Sequence, residues 1–164
     1  MRLDRTWIER NIPHHGRMCL LDEVMEWDAG HIRCRSGTHR LPDHPLRSQG
    51  RLGAACGIEY AAQAMAVHGA LAAGKVGKGR SEVGFLASLR DVRLHVLRLD
   101  DIESDLICDA RLVAGDQGSA LYEFALRSEE EPQRLLSGRA TVVFDADERL
   151  KAGERFKTSV LSKT

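Results

Sequence analysis

The sequence has no surplus of charge of either sign, no paired cysteine motif and no long apolar run. Lys plus Arg is 24 and Asp plus Glu is 24, so the formal net charge is zero. Neutralising a phosphate backbone needs a clear excess of Lys and Arg, so nucleic acid is not an expected partner. Near-zero charge gives little colloidal repulsion and favours an oligomer. Cys19, Cys34, Cys56 and Cys108 lie far apart with no CxxC spacing. They read as small buried thiols of a protein from a reducing compartment. No stretch approaches ~18 uninterrupted apolar residues, so no membrane span is expected. The opening MRLDRTWIERNIPHHG lacks the apolar core of a secretory signal, and the expectation is a cytoplasmic protein. No Gly-x-Gly-x-x-Gly and no Gly-x-Ser-x-Gly is present, so neither a nucleotide cofactor nor a serine-hydrolase elbow is implied.

What is present fits one domain. The chain has 164 residues, 43% apolar and 29% charged, with 15 Gly and 4 Pro. That composition excludes wholesale disorder, collagen and a disulfide scaffold. Residues 4–11 (DRTWIERN) open with a capping Asp and stop before Pro13, which predicts a short helix. Residues 20–27 and 31–38, separated by Asp28-Ala29-Gly30, predict a β-hairpin. Residues 40–51 hold two prolines and a glycine and predict a loop. Residues 52–73 (LGAACGIEYAAQAMAVHGALAA) are Ala-rich and apolar on nearly every face. Such a helix is buried all round rather than amphipathic, and needs more cover than one sheet face supplies. Residues 83–96, 102–113, 120–127 and 135–144 predict four strands in an antiparallel meander. The expected architecture is α+β: an antiparallel sheet curled around one long helix over residues 1–147, followed by a polar tail at 148–164.

One residue is out of keeping with its surroundings. Glu59 sits inside ACGIEYAAQA, among small and apolar side chains. Burying an ionised carboxylate without a partner costs several kcal/mol or shifts its pKa upward. Gln63, four residues on, shares its helical face and is positioned to hydrogen-bond it. A carboxyl with a raised pKa serves as a general acid near neutral pH. The plain structural alternative is that Gln63 or an Arg satisfies Glu59 and the group only locks the helix.

Three motifs in order carry a family resemblance. The run Ile12-Pro13-His14-His15-Gly16-Arg17-Met18-Cys19-Leu20-Leu21-Asp22-Glu23-Val24 resembles the opening of bacterial 3-hydroxyacyl-[acyl-carrier-protein] dehydratases. Gly57-Ile58-Glu59-Tyr60-Ala61-Ala62-Gln63-Ala64 resembles their central helix, and residues 83–93 (VGFLASLRDVR) resemble the strand that follows it. The likeness spans residues 8–145. Within the family it is nearest the dehydratase-like branch found in aryl polyene pigment clusters, which has a similar Gly-Ile-Glu-Tyr-x-Ala-Gln helix.

The resemblance implies a hot-dog fold, with subunits joined edge to edge as a homodimer or as a heterodimer with another hot-dog subunit. It implies acyl carrier protein as the partner that delivers substrate. The implied chemistry is dehydration of a 3-hydroxyacyl thioester to the enoyl thioester, with no cofactor and no metal. A His removes the C2 proton, the helix carboxyl at Glu59 protonates the departing hydroxyl, and amides near the helix N-terminus polarise the thioester carbonyl. That assigns Gly53, Gly57, Gln63 and Phe85 to substrate binding. Two histidines compete for the base. His44 stands in the loop equivalent to the family's catalytic His, but reads His44-Pro45-Leu46-Arg47 without the family's Pro-Gly pair, and Glu59 follows fifteen residues later instead of fourteen. His14, at the family's opening Pro-His, is the alternative.

The remaining signals are weaker. His14, His15 and Cys19 lack the second ligand pair a zinc site requires. His68 is expected in the core or an interface, and His31, His39 and His95 at the surface. Residues 74–81 (GKVGKGRS) are no P-loop; their cations, with Arg47 and Arg51, offer a docking patch for an acidic carrier protein. Two rival readings remain: a thioesterase on the same fold, and a non-catalytic hot-dog subunit supporting a catalytic partner.

Overall fold

The computed structural model describes residues 3–74 and 84–144. Helix α1, Arg5–Asn11, begins where expected: the Asp4 carboxylate accepts a hydrogen bond from the Trp7 amide at 3.0 Å. It buries Trp7 and Ile8 and ends before Pro13, whose ring disfavours helical backbone at the preceding residue. Strands β1 (Glu23–Trp27) and β2 (His31–Ser36) form the expected antiparallel hairpin. At its turn the Gly30 amide donates to the Asp28 carboxylate at 2.7 Å, which closes the chain on itself locally. Along β2, Ile32, Cys34 and Ser36 point into the core, as period-two alternation requires.

A 3-10 turn at Ala54–Cys56 leads into α2, Gly57–Ala72. The sheet packs around this helix. Tyr60, Ala61, Ala64, Val67 and Leu71 meet Ala110, Tyr122, Phe124, Leu126 and Leu136 in one core. Burial is not complete all round, as the sequence suggested: Glu59, Ala62, Ala66 and Gly69 form a half-buried stripe. Gly57 shows how closely helix and sheet approach. A Cβ there would lie 2.7 Å from Leu136 Cδ2 and 2.9 Å from Leu126 Cδ2.

Strands β3 (Phe85–Leu94), β4 (Leu106–Gly115), β5 (Ser119–Ser128) and β6 (Arg134–Val143) complete a six-stranded antiparallel sheet in the order β1-β2-β4-β5-β6-β3. This is the hot-dog fold. The expected four-strand meander is corrected in one respect. β4, β5 and β6 follow one another, but β3 pairs with β6 at the far edge while β4 pairs with β2. The reason is the link between β3 and β4, which is anchored to the start of the helix instead of turning tightly. The Ala54 amide donates to the Leu97 carbonyl at 3.1 Å, Leu99 to Leu52 at 2.8 Å, and Leu52 to the Asp100 carboxylate at 2.9 Å. The Arg98 guanidinium hydrogen-bonds Asp100 and holds its carboxyl well below the usual carboxylate range. Asp100-Asp101, read from sequence as a hairpin turn, is part of this bracket.

Strand β3 is exposed along almost its whole length, with Phe85, Leu86, Leu89, Val92 and Leu94 open to solvent. Its pairing with β6 is interrupted between Arg90 and Arg93, where Asp91 adopts φ +53°. Such a bulge bends the strand locally. Among the described residues no helix is long and apolar enough to cross a membrane. The cations at Lys75, Lys78 and Arg80, the domain boundary at 147 and the tail at 148–164 lie outside the described residues.

The contact at Gly57 generates a stability test. Leu126 and Leu136 are fully buried and have nowhere to retreat. Overpacking of this kind costs typically about 1–3 kcal/mol. Gly57→Ala is therefore expected to lower the urea midpoint with an unchanged m-value, despite the better helix propensity of alanine. An unchanged or raised midpoint would show that the sheet yields at this point.

Candidate active site

Glu59 lies in the first turn of α2 on the half-buried stripe. Two donors converge on one of its oxygens. His14 Nε2 lies 3.0 Å from Oε1, and Gln63 Nε2 donates to the same atom at 2.9 Å. His14 reaches this position because the chain leaves α1 in extended conformation at Ile12, passes through Pro13, and turns at Gly16 with φ +58°. The sequence argument anticipated a carboxyl pushed upward by burial. Burial does push it upward, but the hydrogen bonds from His14 and Gln63 and the charge of His14 outweigh it, and the Glu59 pKa lies below its ordinary value.

Gln63 was expected to touch substrate; it is occupied inside the protein instead. Its side chain is fully buried. Nε2 donates to the Met18 carbonyl at 2.7 Å as well as to Glu59, and Oε1 accepts from the Leu20 amide at 2.8 Å. Gly57 is likewise corrected: it is buried against Leu126 and Leu136 and does not line the cavity described below. The amides at the helix start are engaged too. Ala54 donates to Leu97, Cys56 to Gly53, and Gly57 back to Ala54. Gly53 is exposed in a short bridge to Arg98, away from Glu59's cavity.

His14 and Glu59 sit on a cavity of about 380 Å³. One wall is the α2 stripe: Ala62, Ala66, Gly69 and Ala73. Facing it are Phe85 and Leu86 of β3 with Val142 and Phe144. Phe85 is thus the one residue of the expected substrate-binding set that lines this space. Sequence reasoning missed the rest of the wall. Its signal was the recurrence of Ala or Gly at 62, 66, 69 and 73, a helical spacing that places small residues on one face.

His44, the other candidate base, is elsewhere. It is buried, and both ring nitrogens are engaged. Nδ1 accepts from the Leu46 amide at 3.1 Å, so Nε2 carries the proton of the neutral ring and donates to Tyr60 Oη at 3.0 Å. Tyr60 Oη lies 2.8 Å from Thr38 Oγ1, which donates to the Leu20 carbonyl at 2.8 Å. The histidine terminates a buried hydrogen-bonded chain, and it does not line the cavity of Glu59. Burial and the nearby Arg47 and His39 push its pKa down. Arg47, expected in a docking patch, is folded inward: its guanidinium donates to the carbonyls of His39, Leu41 and Gly50 and pairs with Asp100 at 3.5 Å.

The other histidines are structural. His68 is fully buried, 2.8 Å from Tyr122 Oη through Nδ1 and 2.9 Å from the Asp28 carbonyl through Nε2. His39 was expected at the surface but is fully buried, 2.9 Å from the Ile102 carbonyl. His31 is half-buried beside Asp109 at 3.1 Å, and His95 is exposed. Among the described residues no group of three or more His, Cys, Asp or Glu is arranged to hold a metal ion.

Comparison with known proteins follows the geometry. The profile of the ApeP-like family, described as ApeP dehydratase, matches residues 6–152. No curated protein sequence matches. Among solved structures, the dehydratase heterocomplex ApeI:P from Xenorhabdus doucetiae aligns with a TM-score of 0.76 at 24% identity, covering 88% of this chain and 95% of that one. Thioesterase superfamily member 2 of zebra fish aligns at 0.57 and 13% identity over 85% of this chain and 94% of that one. A thioesterase-type protein from Silicibacter sp. TM1040 aligns at 0.52 and 16% identity over 74% and 76%. At these identities the structural likeness is one of fold.

The buried histidines make stability depend on acid. Burial is the leading cause that lowers the pKa of His39, His44 and His68. A base whose folded pKa is below its unfolded value of about 6.5 takes up its proton more readily when unfolded. Its contribution is complete above that pH and is lost as pH falls through the folded value. The melting temperature is expected to drop between pH 7 and pH 5, and His68→Gln is expected to flatten that slope. A profile equally steep in the variant would remove His68 from the account.

Proposed function

Since the chain belongs to the ApeP-like family of dehydratases, we propose that it removes water from a 3-hydroxyacyl thioester carried on an acyl carrier protein. The product is the trans-2-enoyl thioester of a fatty-acid or aryl polyene type of pathway. The observation that carries this reading is the 3.0 Å contact between His14 and Glu59 on an apolar cavity. It favours His14 over His44 as the base.

The step balances within this pair. Neutral His14 takes the proton from C2 as the C–H bond breaks. The carboxyl of Glu59 gives a proton to the C3 hydroxyl, the C–O bond breaks and water leaves. The electron pair from C2 forms the double bond. The enzyme is left as imidazolium and carboxylate, and the proton passes from Nε2 to Oε1 as the next substrate displaces their contact. The lowered pKa of Glu59 belongs to the pair without substrate. A substrate seated between the two groups removes the His14 hydrogen bond and excludes water, and both changes raise the carboxyl toward the value a general acid needs. No metal or organic cofactor is required.

A second subunit completes this reading. Among the described residues, strand β3 is a ten-residue outer edge of the sheet with exposed apolar side chains. Exposed edges of that kind pair with another strand. The partner is a hot-dog subunit joined edge to edge, either another copy or a distinct chain.

One observation favours a second chemistry on the same residues. Two donors on one oxygen hold Glu59 ionised, which suits a carboxylate that activates water, as in a thioesterase. Intact-mass measurement separates the possibilities. The full chain, Glu59→Gln and His14→Gln are incubated with a panel of 3-hydroxyacyl carrier proteins. Loss of one water in the wild type, slowed about 10²–10⁴-fold in either variant, is the expected result. Release of free acid would establish the hydrolytic reading. Correctly folded protein that changes no substrate would replace both with a subunit that supports a catalytic partner.

A further inference from the structure

Gly69 stands in the middle of α2, where the described residues give no structural reason for glycine. Its backbone is ordinary right-handed helix, not the left-handed region that glycine favours. Among the described residues, a Cβ built on it would meet only Phe144 Cε1, at 3.8 Å, an ordinary van der Waals contact. Gly57 and Gly84 differ: a Cβ there would lie 2.7 Å from Leu136 and 2.8 Å from Val142. Glycine in a helix interior is less stable than alanine because it loses more backbone freedom on folding. At position 69 no contact among the described residues offsets that loss. What the missing side chain leaves is space, and Gly69 lines the cavity that holds His14 and Glu59.

Position along the helix says what that space is for. Ten residues separate Glu59 from Gly69, or about 15 Å of helix axis at ~1.5 Å per residue. An extended chain rises about 1.2 Å per bond, so roughly a dozen bonds separate the reacting carbons from Gly69. Between them the wall is Ala62 and Ala66, opposite Phe85, Leu86 and Val142, all apolar.

Resting on the dehydratase reading, we propose that Gly69 is a specificity-determining residue: it keeps the cavity open to the distal part of a linear acyl chain of about fourteen carbons or more. The side chain at this position sets the longest acyl group accepted. The glycine is retained at the expense of helix stability because alanine or anything larger shortens the usable cavity.

The test separates this role from the catalytic reading by measuring binding without turnover. Saturated S-acyl pantetheines of about four to eighteen carbons are titrated calorimetrically into the full-length wild type, Gly69→Ala and Gly69→Leu. Each methylene that enters the cavity is expected to raise wild-type affinity roughly fourfold, until the series levels off. In Gly69→Leu the levelling moves to shorter chains, and the longest bind at least about tenfold more weakly while the shortest are unchanged. Gly69→Ala gives a smaller shift in the same direction together with a higher melting temperature, which excludes misfolding as the cause. A wild-type series that climbs while both variants trace the same curve would overturn the role of Gly69 and leave the acyl cavity standing. A series that never climbs in the wild type would overturn the proposal together with the acyl reading of the cavity. A climbing series with no turnover would refute the dehydratase chemistry alone.

Discussion

The arrangement depends on the side-chain amide of Gln63. It is fully buried and spends both donors and its acceptor inside the protein, on Met18, Glu59 and Leu20. Those partners belong to two distant parts of the chain. The Met18 carbonyl and Leu20 amide end the segment that carries His14, and Glu59 sits one helical turn before Gln63. One amide therefore sets the register between the N-terminal segment and the central helix. Without it, the buried Leu20 amide would be unpaired, at about 1–3 kcal/mol, and His14 would have no fixed height above Glu59. The same contact answers the objection the sequence raises against a carboxylate in an apolar helix: Glu59 is half-buried, and its charge is held by two donors.

The histidines divide according to how much of each ring the fold consumes. His44 and His68 are buried and have both ring nitrogens in hydrogen bonds. A proton cannot pass from such a ring to a ligand without breaking one of these hydrogen bonds. His14 is different: one nitrogen is on Glu59, the ring remains about a quarter exposed, and it lines the cavity. The fold itself thus favours a base that the loop position of His44 would have missed.

Much of this was legible in the sequence, for identifiable reasons. Asp4 before Trp7-Ile8 reads as a cap because Asp, followed by an apolar turn, has few other uses. The alternation in residues 31–36 and 119–128 reads directly as strand. Glu59 is conspicuous because its charge conflicts with every neighbour. Other features left no local trace. Period two identifies β3 as a strand but says nothing of its neighbour, which is decided by the bracket joining Leu52, Ala54, Leu97, Leu99 and Asp100. The consumption of His44 by Tyr60 and Thr38 joins residues sixteen and twenty-two apart through a fold that spacing alone does not reveal. The absent Pro-Gly pair after His44 and its fifteen-residue spacing to Glu59 were the sequence signs that this loop departs from the family. Gly57, placed in the substrate set by analogy, owes its lack of a side chain to Leu126 and Leu136.

Strand β3 links association to the site. Phe85 and Leu86 open the exposed apolar edge and also form part of the cavity wall facing α2. A strand docked along β3 would take exposed apolar surface out of water and would hold these two side chains in place. The cavity is then as well defined as that edge is. On the proposed reading, partner and acyl chain are two ligands acting on one wall. Whatever factor the partner contributes to acyl affinity, the acyl chain must contribute to partner affinity, because the coupling free energy between two sites is reciprocal. A chain of this kind has reason to hold its partner most tightly when the cavity is full. The requirement for a companion strand and the requirement for an acyl-shaped wall are then one physical constraint acting through Phe85 and Leu86.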